Sequence, residues 1–197
     1  MDAARLPFPP EPRLNQLLMA APRGVRPAGV VAGRISGEEF SLEVVRGSQG
    51  NRNLTGCLGN QMLEGRVEET NQVRHCTGVG LSGSYDVTSE PVEGGRQAEG
   101  WVGSRSLELR STNWGATVKI EGRIGHDRVV LTQWTQRDGH MLSGYIGNRN
   151  ISLQSRVAPG ETPLEPLDYL PLLVKPEPEY PVRTYAFSSS CGIDALA

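Results

Sequence analysis

Lysine is almost missing from this chain: Lys119 and Lys175 are the two lysines, and arginine supplies the other basic side chains. Cysteine is scarce as well. Cys57, Cys76 and Cys191 are odd in number and include no Cys-x-x-Cys pair. That excludes a disulfide framework and fits a reducing compartment. Aromatic residues make up 6% and hydrophobic residues 37% of the chain, too little for a thick core. No apolar run is long enough to cross a bilayer as a helix. The opening stretch, MDAARLPFPPEP, is acidic and then proline-rich, without the basic-then-apolar order of a signal peptide, so the expected location is cytoplasmic and the expected partners include no membrane. A net charge of −2 favours neither nucleic acid nor membrane as partner. The three histidines stand at no metal-ligand spacing, and no cofactor or metal is expected.

Proline is missing from the middle. Of 14 prolines, six lie at or before Pro27, seven at or after Pro159, and Pro91 alone lies between. Proline removes a ladder donor, so this distribution predicts a sheet flanked by extended arms. The expected divisions are an N-terminal arm over 1–32 with one short helix at Leu14–Ala21, a repeat domain over 33–157, and a proline-rich acidic arm over 158–197. Charge follows the same lines: +2 over 1–32, −4 over 33–99, +4 over 100–157 and −4 over 158–197.

What fills the middle is a repeat. Gly33, Gly56, Gly78, Gly100, Gly122 and Gly144 are separated by 23, 22, 22, 22 and 22 residues. These glycines open units patterned on Gly-x-apolar-Gly-x-x-x-apolar-x-apolar, clearest in GWVGSRSLEL, GRIGHDRVVL and GYIGNRNISL, so the fold is an array of one supersecondary unit. MORN repeats are hairpin arrays of similar period, but their Tyr-x-Gly and second Gly-x-Gly do not recur from unit to unit here, and the pattern assigns no family.

The unit reads as a β-hairpin. Gly59, Gly103, Gly125 and Gly147 stand at the first central position of a two-residue turn, followed by Asn60, Ser104, His126 and Asn148. Type II′ turns want that order. Counting outward, the leading glycines face Phe40, Leu63, Tyr85, Leu107, Val129 and Ile151, all large and apolar. Alternation then places Val31/Leu42, Leu54/Gly65, Cys76/Val87, Ala98/Leu109, Ile120/Leu131 and Leu142/Leu153 on the same inner face. The expected fold class is all-β: an antiparallel meander of about six hairpins, curled, closed as a barrel or folded as a sandwich. A β-solenoid with parallel stacking is the rival. A barrel of about twelve strands is too wide for its own side chains to fill and needs a plug or a ligand.

Catalytic chemistry finds little support. His75 and Cys76 are adjacent strand residues and point to opposite faces, so they cannot pair. His126 and His140 lie in or beside turns, where such residues serve the backbone. GVGLSG (78–83) is followed by strand residues rather than by the helix a phosphate loop needs. The expectation is a non-enzyme.

Surfaces remain. Trp101, Arg123 and Tyr145 recur one residue after the leading glycine, and with Arg105, Arg128, Trp134 and Arg149 they form a candidate surface for a protein partner or for single-stranded nucleic acid. Leu167, Tyr169, Leu170, Leu172, Leu173, Tyr185 and Phe187 make the C-terminal arm too apolar to be purely solvated. It is expected to dock in cis or on a second subunit, guarding or extending a sheet edge. Cys191 in that arm is expected to be exposed. The leading functional expectation is an oligomeric interaction or structural module. The alternatives are single-stranded nucleic-acid binding and a barrel that carries a small apolar ligand.

Overall fold

A computed structural model describes residues 27–47, 50–137 and 139–176. The Leu14–Ala21 segment, Tyr185, Phe187 and Cys191 lie outside the described residues. Twelve strands follow one another: β1 (Gly29–Ile35), β2 (Glu38–Arg46), β3 (Arg52–Leu58), β4 (Gln61–Thr70), β5 (Val73–Gly80), β6 (Gly83–Val92), β7 (Gly95–Val102), β8 (Arg105–Trp114), β9 (Thr117–Ile124), β10 (Asp127–Gln136), β11 (Gly139–Ile146) and β12 (Arg149–Val157). Each pairs antiparallel with its neighbours, and β12 returns to pair with β1. The sheet is a closed meander barrel. The solenoid is ruled out, and so is an open sheet with an edge for the C-terminal arm to guard.

The register is the expected one. Gly33 faces Phe40, Gly56 faces Leu63, Gly78 faces Tyr85, Gly100 faces Leu107, Gly122 faces Val129 and Gly144 faces Ile151. Gly59, Gly103, Gly125 and Gly147 have φ of 56°, 60°, 59° and 60°, and the residue after each keeps a negative φ, the II′ pattern.

The leading glycines answer to a different neighbour than their hairpin partner. A Cβ on Gly122 would lie 2.0 Å from the carbonyl oxygen of Glu108, and one on Gly144 would lie 2.1 Å from that of Val130. These carbonyls belong to the preceding unit. Each unit therefore bends at its glycine and presses its backbone onto the unit before it, and six such bends help to close the circle.

Leu42 reads across Gly56 to Leu63, yet its repeat equivalent is Gly65, two residues further on. The same two-residue step recurs in all six units. It adds up to a shear equal to the strand number, with strands tilted by about 36°. Equivalent residues of the six units therefore stand at one height around the wall, about 60° apart.

The barrel interior is filled by the chain itself. After β12, residues 158–163 turn back, with Arg46 pairing Glu161 at 3.5 Å and Arg52 donating to the carbonyl of Pro163 at 3.3 Å. The chain then enters at the end that carries the linkers between units. A single helical turn, α1 (Pro166–Tyr169), and a 3-10 turn (Leu170–Leu173) run through the centre. Leu164, Leu167, Tyr169, Leu170, Leu172, Leu173 and Val174 are buried in one apolar cluster with the inward side chains of the wall. The segment leaves at the opposite end, where the tight turns lie and Lys175 pairs Glu38 at 3.2 Å. Of the arm-docking candidates, Leu167, Tyr169, Leu170, Leu172 and Leu173 are thus docked in cis, inside the barrel rather than on it.

Candidate functional site: the threaded plug and the outer wall

The plug is held by departures from the repeat. Position by position, the last inward residue of the first strand is Ile35, Leu58, Gly80, Val102, Ile124 and Ile146. The exception is Gly80, where a Cβ would lie 2.8 Å from the Leu172 Cα and 2.9 Å from its carbonyl oxygen. The next residue departs too. In five units the N–H of the first turn residue bonds a wall carbonyl, as Gly125 does to Ser106 at 2.8 Å. In the third unit the N–H of Leu81 instead donates to the Leu172 carbonyl at 3.2 Å, and the Ser82 hydroxyl donates to that of Val174 at 2.6 Å.

A second inward ring, near the linker end, reads Arg52, Arg74, Arg96, Val118 and His140 over units two to six. Three arginines face an acidic plug. Arg74 Nη1 reaches Asp168 Oδ2 at 3.1 Å and Glu165 Oε1 at 3.0 Å, while its Nε reaches Glu69 at 3.2 Å. Asp168 also accepts the backbone N–H of Glu165 at 3.1 Å, which caps α1. Burial pushes the Asp168 carboxyl up to about 6, and Arg74 opposes that shift. Burial works to lower the basicity of Arg74, but Asp168, Glu165 and Glu69 outweigh it and hold the guanidinium firmly charged. His140 lies at the start of β11, beside the turn, but its side chain is buried and stands 3.4 Å from the Tyr169 hydroxyl. Burial lowers its pKa to about 4. A pocket of about 180 Å³ opens beside this ring, lined in part by Arg96, Ser111, Asn113, Gln133 and Glu165.

Cys76 and His75 do lie on opposite faces. Cys76 is buried inside, and burial followed by the nearby Asp168 raises its thiol well above the usual range, so it stays protonated. His75 is outside and meets Asp86 at 2.7 Å.

The candidate surface residues divide. Trp101, Arg123, Arg128, Trp134 and Tyr145 are exposed on the outer wall. Trp101, Arg123 and Tyr145 hold equivalent positions, so they stand at one height but point about 60° apart. The wall spreads them rather than bringing them together. Arg105 and Arg149 belong elsewhere. They share strand parity with the buried Leu107 and Ile151, and alternation turns both inward. Arg105 meets Asp127 at 3.0 Å and Ser82 at 3.1 Å, and it donates to the Lys175 carbonyl. Arg149 donates to the Leu173 carbonyl.

One outer group is contiguous. Trp114 pairs across the sheet with Thr117, Thr117 with Trp134, and Trp134 with Met141. Trp114 is 68% exposed and Trp134 is 42% exposed. Only the register brings Trp114 level with Trp134.

Fold and interior define an all-β barrel plugged by its own chain. No family model, curated protein or solved structure matches it.

Proposed function

We propose that this protein is a non-enzymatic interaction module that associates with a second copy of itself through the Trp114–Trp134 patch. The carrying observation is the lateral row just described: two exposed indoles flank the short Thr117, with Met141 beside them. Ring, gap, ring is self-complementary. Related by a two-fold axis, one indole of each copy enters the gap of the other, as an isologous interface requires. Closure of the barrel leaves no strand edge to share among the described residues, so association through the barrel uses a face.

The outer wall supports a module in water. It carries charges on most strands, among them Glu43, Glu64, Glu99, Glu108 and Lys119, while apolar residues point in, the reverse of a membrane-spanning barrel. The plug occupies the space a carried ligand would need, which weighs against a carrier. Nucleic acid binding through Trp101, Arg123 and Tyr145 would require a strand to wrap a convex wall.

Sedimentation equilibrium from low to high micromolar concentration tests the proposal. The wild type is expected to dimerise and W114A/W134A to remain monomeric with an unchanged circular dichroism spectrum. A wild type that stays monomeric throughout, or a double variant that dimerises equally well, refutes it. Anisotropy of a labelled single strand at low salt tests the nucleic-acid alternative, which predicts binding that weakens as salt rises.

A further inference from the structure

The mouth at the tight-turn end has an unbalanced charge. Three cations meet there: Arg105, Arg149 and Lys175. Two carboxylates are engaged, Asp127 by Arg105 at 3.0 Å and Glu38 by Lys175 at 3.2 Å. Arg149 forms no ion pair among the described residues. One of its nitrogens donates to the Leu173 carbonyl, while Nε and Nη2 are buried with no hydrogen-bond partner among the described residues. These two nitrogens are one edge of the guanidinium fork, the edge that takes two oxygens of a carboxylate or phosphate side by side. A buried guanidinium edge without a partner is costly, because it has lost water and gained no anion. Burial accordingly lowers its pKa, with Glu38 and Asp127 offsetting only part.

We propose that Arg149 is the recognition group of a single-oxyanion site at this mouth, taking a carboxylate or a phosphate on its Nε–Nη2 edge. Two sources can supply that chemistry. One is a free anion from solution. The other is the chain itself, whose sequence continues from Lys175 through Glu177 and Glu179.

The test uses the full chain and thermal unfolding, with inorganic phosphate titrated against sodium chloride of equal ionic strength. If the anion is free, phosphate raises the midpoint of the wild type by a few degrees and saturates, where sodium chloride does not. If Glu177 or Glu179 fills the fork, the wild type ignores phosphate, E177Q/E179Q unfolds at lower temperature, and phosphate restores it. In either case R149Q abolishes the phosphate-specific rise, and R149M serves as the second variant should R149Q fold poorly. The site is overturned if phosphate acts no differently from sodium chloride in both the wild type and E177Q/E179Q, or if the phosphate-specific rise survives loss of Arg149.

Discussion

Replacing His140 with glutamine should expose a hidden opposition between two buried groups. His140 titrates near 4 in the fold against an ordinary 6.5, because burial disfavours its charged form. As pH falls below 6.5, the unfolded chain takes up this proton first, so stability is lost down to about pH 4. Asp168 acts in the opposite sense. Its folded pKa of about 6 lies above the ordinary 3.8, so the fold takes up that proton first and stability is gained as pH falls from 6 towards 3.8. At about 1.4 kcal/mol per pKa unit, each effect amounts to about 2 kcal/mol by pH 4.5, and in the wild type the two nearly cancel. H140Q removes only the destabilising one. Urea denaturation followed by tryptophan fluorescence, repeated between pH 7 and pH 4.5, should find the difference between H140Q and wild type growing by about 2 kcal/mol in favour of the variant. Other carboxylates are common to both proteins and drop out of that difference. Parallel pH profiles would refute the reasoning, and with it the burial of a neutral His140 against Tyr169.

R74M strands the Asp168 carboxylate in the interior and should cost about 4 kcal/mol in urea denaturation at pH 7, most of which R74M/D168N should recover by removing the orphaned charge as well. G80V restores the repeat pattern of Ile35, Leu58 and Val102 yet should destabilise by about 2 kcal/mol or more, because its Cβ meets Leu172 backbone at 2.8 Å. G122A should lower the unfolding midpoint sharply, since its Cβ falls 2.0 Å from the Glu108 carbonyl and φ is +149°. A fold that tolerates G122A contradicts the unit-to-unit packing.

Hairpin register is legible in the sequence because it is local and repeated. A glycine in a II′ turn fixes which residues face each other, and alternation does the rest. Closure is not local. No turn joins β1 to β12, and their pairing follows only from six equal bends and a two-residue step per unit. Leu167, Tyr169, Leu170, Leu172 and Leu173 announce docking by composition, but the place they dock is written elsewhere, in the wall positions that break the repeat. Gly80 falls off the leading-glycine schedule and marks the space for Leu172. Arg74 and Arg96 put charge at inward positions and so require acid from another segment. Those exceptions are visible in an aligned repeat and acquire meaning once the interior is known to be threaded. Arg105 and Arg149 are separated from the outer surface by strand parity alone. The spread of Trp101, Arg123 and Tyr145 depends on barrel curvature, which no single unit encodes.

The central claim is that residues 164–174 run through the inside of a closed barrel. A nuclear Overhauser experiment on the full chain addresses it directly. Cross-peaks are expected between the Leu172 α-proton and both the α-protons of Gly80 and the amide of Leu81. Absence of these peaks in a protein whose Gly33–Phe40 and Gly33–Leu153 cross-strand contacts are intact would leave the barrel closed but empty, and would contradict the account.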